Sequence, residues 1–438
     1  MKKYENIKAR FLTAVVANSE GEIFELDGYA AVGMAGKLQV PLSVEETVPL
    51  PYGTELMFLP DRNPIVYNLL TRKIESLAEN PYRPGETICP VAAFNSPGFI
   101  ITYVSAFKEQ RNPVGLPLFS YGAVGWHQKG FRSAAICVDK ERRQDLRLMP
   151  IQKVEAGIHR MQQRLPANRL REHLENCAMT YGCPAAKNFF LGRYEAPLPT
   201  ATTCNARCVG CISLQGEGIV SNCQERIKFT PQPEEISALA LEHIRNAKHP
   251  ILSFGQGCEG DPLLAADVIG PAIQSIRART DKGTINMNTN GSRPDTLLKL
   301  FNIGLDSVRV SMNSVRENCY TGYFRPRTYR FADVVESIDL AKRMGKFVSI
   351  NYLNCPGFTD SPEEIHALVS FLNSHPVDLI QWRNLNIDPV KYIRLMNKIS
   401  NNSHPLGIKM VLGKIKTQFP KLKYGYFNPP KETFYEMV

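Results

Sequence analysis

The sequence predicts an α/β protein: a partial (β/α)6 TIM-like barrel over residues 196–390, preceded by a β-rich N-terminal domain and followed by a C-terminal extension. Three observations predict it. From about residue 196, short β-branched runs alternate with helix-length segments, and strands separated by helices pair in parallel. Over residues 1–149, short β-branched and aromatic runs alternate with Gly, Pro and Asn turns, the texture of sheet. Beyond residue 390 the chain turns basic, with nine Lys and Arg against two Glu.

Composition excludes several classes. With 43% hydrophobic and 21% charged residues over 438 positions, wholesale disorder is out. Eleven cysteines are too sparse for a secreted disulfide scaffold. The start Met1-Lys2-Lys3-Tyr4-Glu5 leads only to a short apolar run, Phe11 to Ala17, broken by Thr13, which is not a signal peptide. The longest uncharged stretch, Ile88 to Phe107, contains Pro90, Asn95, Ser96 and Pro97 and reads as two buried strands and a turn, so no membrane association is expected. The expected compartment is the reducing cytoplasm, where cysteines serve as metal ligands or reactive thiols.

The elements follow in order. Arg10 to Val16 and Phe99 to Val104 are strand-like runs of the N-terminal domain. Residues 150–195 read as a helical linker broken at Leu165-Pro166 and carrying Cys177 and Cys183. The barrel strands are one run before Cys204, then Ile251 to Phe254, Thr284 to Asn288, Ser307 to Ser311, Phe347 to Asn351 and Leu379 to Trp382. Helices are expected over 233–247, 263–279, 331–344 and 361–374; Pro233-Glu234-Glu235 and Ser361-Pro362-Glu363-Glu364 are strong starts, with an early proline and acids in the first turn. In the extension, 391–438, Phe419, Tyr424, Tyr426 and Phe427 lie among lysines. This suits either contact with RNA or another polyanion, or a solvated helix and a strand packed on the barrel; the second reading is preferred.

The strongest chemical signal is Cys204-Asn205-Ala206-Arg207-Cys208-Val209-Gly210-Cys211, after the first barrel strand. Three thiols at spacings of four and three can hold three corners of a cubane iron–sulfur cluster and leave the fourth iron open for chemistry. This C-x3-C-x2-C resembles the motif of the radical S-adenosylmethionine (SAM) enzymes. The resemblance covers about 196–385. It implies a 4Fe–4S cluster on Cys204, Cys208 and Cys211, SAM as co-substrate, one-electron cleavage of SAM to a 5′-deoxyadenosyl radical, and hydrogen abstraction from a substrate. It also implies an electron donor such as flavodoxin or ferredoxin.

Further segments extend the likeness. Gly255-Gln256-Gly257-Cys258-Glu259-Gly260-Asp261-Pro262 is similar to the family's Gly-Gly-Glu-Pro motif, which implies SAM contacts at Gly257, Cys258, Glu259 and Asp261. Asn288-Thr289-Asn290-Gly291 resembles the family's Thr-Asn-Gly, and with Ser311, Asn313 and Asn351 it offers polar groups for the ribose and carboxylate of SAM. Cys355-Pro356-Gly357-Phe358-Thr359-Asp360 is similar to the Pro-Gly-x-Thr-Asp of activating members. Where many members carry an aromatic residue before the third cysteine, this chain has Gly210, so adenine must be packed by another residue; Ile212 is one candidate. Arg383 suits a substrate carboxylate or phosphate, or an anchor for the extension.

Cys177, Cys183 and Cys223 are candidate ligands of an auxiliary iron–sulfur cluster, with Cys258 or a substrate atom as fourth ligand; the alternative is buried thiols. Cys89 and Cys137 read as core; Cys319 and Tyr320 suit either a hydrogen-atom donor or surface loop residues, and the second reading is preferred. Gly255, Gly257 and Gly260 also spell a dinucleotide fingerprint, ranked lower because the cysteine loop accounts for more residues. The substrate is expected to be macromolecular, a peptide or protein or an RNA, enclosed by the N-terminal domain and the basic tail. A second class is a non-catalytic metal- or RNA-binding protein with a structural cysteine site.

Overall fold

The computed structural model describes residues 9–216 and 220–435. The reading of Met1 to Glu5 lies outside the described residues. The N-terminal part is a twelve-stranded antiparallel sheet with a separate two-stranded ribbon. Its spine is the long strand Ile23–Ala35, which pairs with Thr13–Ala17, Leu38–Pro41, Arg62–Asn68 and Val104–Ser105. The run Ile88 to Phe107 becomes Cys89–Phe94, Phe99–Ile101 and Val104–Ser105, short strands as its prolines and asparagine dictate.

Three helices follow: α1 (Ile151–Arg164), α2 (Arg169–Met179) and α3 (Pro184–Phe190). The break at Leu165-Pro166 is followed by Asn168, whose side chain accepts from the N–H of Arg171 at 2.9 Å and caps α2.

The barrel sheet has seven parallel strands in sequential order: β1 (Glu195–Pro197), β2 (Ile251–Phe254), β3 (Thr284–Thr289), β4 (Ser307–Met312), β5 (Phe347–Asn354), β6 (Leu379–Asn384) and β7 (Lys423–Gly425). Between them run α4 (Pro233–Asn246), α5 (Ala266–Arg277), α6 (Pro294–Asn302), α7 (Glu317–Phe324), α8 (Phe331–Arg343), α9 (Pro362–Ser374), α10 (Pro389–Ile399) and α11 (Ile408–Gln418). Four of these begin on proline, whose fixed φ and missing N–H suit a first helical turn. The sheet is one strand wider than six βα units require, because β7 comes from the extension and pairs with β6.

The tail then crosses the floor of the barrel. Asn428 Nδ2 donates to Glu195 Oε1 at 3.0 Å and Ser253 Oγ at 3.3 Å, while its Oδ1 accepts from Gln381 at 2.9 Å and Arg309 at 3.3 Å. Further on, Phe434 stacks on Phe347, the first residue of β5. The extension therefore closes the end of the barrel opposite the cysteine loop, not the mouth.

The N-terminal sheet sits on the rim instead. Asn384 accepts from Ile101 N–H at 2.9 Å and donates to the Phe99 carbonyl at 2.9 Å, and Asn354 donates to the Ile101 carbonyl at 2.8 Å. The polar end of β6 is thus explained by docking. A buried Arg62–Asp388 pair at 3.1 Å adds to the contact, and Gly357 lies so close to Gly36 that an added Cβ would stand 2.0 Å from its nitrogen.

No helix among the described residues is long and apolar enough to cross a membrane. None of the eleven cysteines is in a disulfide.

One buried group gives the fold an acid limit. His243 on α4 is fully buried and bonded through Nε2 to the Tyr194 carbonyl at 3.1 Å. Burial lowers its pKa from 6.5 to about 4. The neutral ring is the one that fits, so this contribution to stability is intact above about pH 6.5 and is lost as pH falls toward 4, on the order of 3 kcal/mol in all. Urea midpoints from about pH 7 down to 4 should fall more steeply for the native chain than for His243→Gln, whose amide can still donate to Tyr194. Parallel profiles would refute the assignment.

Candidate active site

The cysteine loop leaves β1 and is held on both sides. Arg207 N–H donates to the Phe324 carbonyl and Val209 N–H to the Tyr323 carbonyl, each at 3.0 Å, and the Asn205 carbonyl accepts from Arg327 N–H at 2.9 Å. The side chain of Asn205 accepts from Asn290 Nδ2 at 2.8 Å and donates to Ser292 Oγ at 3.0 Å. The loop is thereby fastened to the end of α7 and to the turn after β3.

Cys204, Cys208 and Cys211 line one cavity of about 390 Å3. Cys204 and Cys208 also line a second, about 440 Å3, at the carboxyl ends of the strands. Burial, then the Asp261 carboxylate, pushes Cys204 up to about 11. Cys208 is raised further by burial and by the two neighbouring thiols. Arg226 donates to Cys211 Sγ at 3.6 Å. Three thiols that share one space, with a cation beside them, form a donor set fit for an iron–sulfur cluster, whose iron would hold them ionised.

The glycine loop after β2 packs against this loop. An added Cβ at Gly260 would lie 1.8 Å from the Thr203 carbonyl oxygen, and one at Gly255, where φ is +80°, would lie 1.7 Å from that of Asn288. Gly260 N–H donates to the Ala201 carbonyl at 2.6 Å and Asp261 N–H to Thr203 at 3.0 Å. The glycines are therefore needed for backbone against backbone, whatever ligand binds.

Among the sequence candidates, Gly257, Asp261, Asn288, Asn290, Ser311 and Asn351 line the larger cavity with Cys204 and Cys208. Their freedom differs. Asp261 accepts from Asn290 N–H, Thr289 Oγ1 and Leu263 N–H. Asn288 is bonded to Gly255 and Asn286, and Asn290 to Asn205 and Ser292. Asn351 lines the cavity, and its Oδ1 is buried without a partner among the described residues.

Three candidates face elsewhere. Glu259 is buried, and its carboxylate accepts from four backbone N–H groups, of Gly255 and Gln256 at 2.7 Å, Thr200 at 2.8 Å and Ala201 at 2.9 Å. Burial outweighs the pull of these N–H groups and raises its pKa to about 7. Cys258 turns to α2, where its Sγ is 3.5 Å from His173 Nε2. Asn313 is bonded to the Cys319 carbonyl at 3.2 Å and Tyr392 Oη at 3.1 Å, inside the helical layer. In each case the turn geometry, which spacing alone does not specify, points the side chain away from the mouth.

The flanking thiols regroup too. Cys177 Sγ lies 3.5 Å from His173 Nε2, and Cys183 N–H donates to the Cys177 carbonyl at 2.9 Å. Cys223 does not join them: it is exposed, and its thiol meets the Leu118 carbonyl at 3.5 Å. The trio Cys177, Cys183 and Cys223 is therefore not assembled. Cys319 and Tyr320 are fully buried in α7, not surface loop residues.

Two features escaped the sequence. The place left by Gly210 is taken by Tyr323 of α7, whose Oη lies 2.6 Å from where a Gly210 Cβ would be; Tyr323 lines the cavity beside Ile212. The missing aromatic residue was the signal. The second is Arg309, a charge between valines in β4, which lines the cavity with Arg383 and Glu195. Burial and the nearby Arg383 lower its pKa. The Nε of both arginines is buried without a partner among the described residues. Arg383 also stacks 3.8 Å over Tyr426 and donates to its carbonyl at 2.6 Å, so it anchors the extension as well.

Among solved structures the chain is similar to methylornithine synthase (PylB), at 16% identity over 62% of this chain and 78% of that one, with a TM-score of 0.38. It is similar to HydG, a maturase of the [FeFe]-hydrogenase, at 15% identity over 66% and 69%, TM-score 0.37. It is similar to Streptococcus suis SuiB bound to S-adenosylmethionine, at 12% identity over 69% of each chain, TM-score 0.38. No curated protein matches it in sequence. Residues 198–371, which include the cysteine loop and the strands β2 to β5, match the model of the Radical SAM superfamily. Residues 198–371 are therefore a Radical SAM domain.

Proposed function

We propose that this radical SAM enzyme binds a 4Fe–4S cluster on Cys204, Cys208 and Cys211, binds SAM against Gly257, Ser311 and Asn351, and removes a hydrogen atom from a substrate whose anionic group rests on Arg309 and Arg383. The observation that carries the reading is that one cavity is lined by the loop residues Cys204 and Cys208 and by both arginines. When bound, the cluster supplies the electron that splits SAM into methionine and a 5′-deoxyadenosyl radical. The chain's own groups supply position. Arg226 offsets thiolate charge at Cys211. Asn351 Oδ1 and Ser311 Oγ offer hydrogen bonds, and the Tyr323 ring packs the adenine. Arg309 precedes Ser311 by two residues on the same face of β4, about 6–7 Å deeper in the barrel. A flavodoxin or ferredoxin of the cytoplasm is the fitting electron donor.

Within the macromolecular classes, a peptide or protein carboxylate suits the site better than RNA. The tail aromatics are occupied: Tyr424 packs edge-on against Trp382, Tyr426 lies under Arg383 and Phe427 under Arg143. These three offer no stacking platform for bases, and Tyr435, the exposed aromatic of the tail, does not line the cavity.

The test is anaerobic reconstitution with iron and sulfide, then SAM and dithionite. Release of 5′-deoxyadenosine is expected; a folded chain that takes up no iron and releases none supports the non-catalytic structural site instead. Tyr323→Ala should keep its iron and bind SAM about 10- to 100-fold more weakly, the usual worth of one base–aromatic stack. Unchanged SAM affinity by equilibrium dialysis would remove Tyr323 from the site.

A further inference from the structure

We propose that His173, Cys177 and Cys258 hold a zinc ion, distinct from the metal of the cysteine loop. His173 and Cys177 stand four apart on α2 and so share one face. Cys258 reaches them from the loop after β2, 85 residues away in sequence from His173. His173 Nε2 is 3.5 Å from Cys258 Sγ and 3.5 Å from Cys177 Sγ, and the three atoms lie within 4.8 Å of one another. A tetrahedral zinc with Zn–N of about 2.0–2.1 Å and Zn–S of about 2.3 Å sets nitrogen and sulfur about 3.6 Å apart. The observed contacts are the edges of that tetrahedron.

A thiol–imidazole hydrogen bond accounts for one of the two contacts only, since a ring nitrogen either donates one proton or accepts one. Two sulfurs converging on one nitrogen is the pattern of ligands around a common ion. Both cysteines are buried, and His173 is half-buried and edge-on to Phe229, so its open side leaves the fourth position of the ion to a water. Mixed nitrogen and thiolate donors favour zinc over magnesium or calcium. Cys183 is a further thiol at the same end of α2, its N–H bonded to the Cys177 carbonyl at 2.9 Å. The ion would pin the helical segment before the barrel to the loop that carries Gly257.

The test uses the full chain with Cys204, Cys208 and Cys211 all changed to Ala, so that the remaining metal belongs elsewhere. Prepared anaerobically with zinc, it should hold about one zinc per chain, with X-ray absorption showing sulfur near 2.3 Å and nitrogen near 2.0 Å. Adding Cys177→Ser or Cys258→Ser should drop zinc to background with circular dichroism unchanged. In case the triple variant does not fold, the unmodified chain against His173→Ala gives the same comparison, and stripping zinc from the unmodified chain should lower its melting temperature. A folded chain without zinc, about four irons bound at these residues, or a Cys177–Cys258 disulfide in their place overturns the proposal.

Discussion

Alanine at Gly260 is expected to strip the chain of iron while leaving all three loop thiols in place. The added methyl would stand 1.8 Å from the carbonyl oxygen of Thr203 and 2.3 Å from its carbon. Neither atom is the movable end of a side chain; both are backbone, one residue before Cys204. The same carbonyl accepts from Asp261 N–H at 3.0 Å, and Gly260 N–H donates to Ala201 at 2.6 Å, so relief of the clash breaks the bonds that align the two loops. Overpacking and two lost buried bonds together cost about 3–5 kcal/mol. The control is Gly413→Ala on an open face of α11, where an added Cβ meets nothing within 4 Å and helix propensity favours the change by up to about 1 kcal/mol. Iron content and thermal melting of the two variants, side by side, check this. Gly260→Ala with a full iron load and native melting would mean that the glycine loop and the cysteine loop are not coupled.

That coupling also explains which parts of the molecule were legible in the sequence. The five later strands begin at the residues their β-branched runs begin on, and α4 and α9 begin where Pro233 and Pro362 mark them. Buried parallel strands and proline starts are local signals, so they survive reading from one chain. The cysteine loop is local as well. What failed was side-chain direction in turns. Of the four candidates between Gly255 and Asp261, Gly257 and Asp261 line the cavity while Cys258 and Glu259 face away, and the turn that decides this has Gly255 at φ +80°. Contacts made by distant segments were equally hidden. His173 meets Cys258 across 85 residues, and Asn428 seals the floor beside Glu195 across 233. The basic tail was legible in kind, since the preferred reading of a strand packed on the barrel is met by β7, but the partners of its aromatic residues were not: Trp382 and Arg383 lie on a strand that only the fold brings near.

Glu259→Gln is expected to destabilise the protein by about 3–5 kcal/mol although it removes no atom from the cavity wall. The carboxylate is the acceptor for four N–H groups, two from the residues after β1 and two from the start of the glycine loop. A carboxylate presents acceptors only, and both oxygens are needed. A carboxamide keeps one oxygen and turns an NH2 on the other pair, leaving two backbone donors and its own protons buried without partners. Burial is nearly complete, 4% exposed, so water does not repair the loss. Because the two pairs belong to the segments that carry Cys204 and Gly257, the damage should pass to both: weaker cluster retention and weaker SAM binding from a substitution that touches neither. Urea denaturation of the iron-free chain under anaerobic conditions isolates the stability effect from metal binding, and SAM affinity of the reconstituted chain reads the second effect. A variant within about 1 kcal/mol of the native chain would show that the acid is held protonated, with one of the four N–H contacts dispensable, and would return Glu259 to the group of residues free to turn toward a ligand.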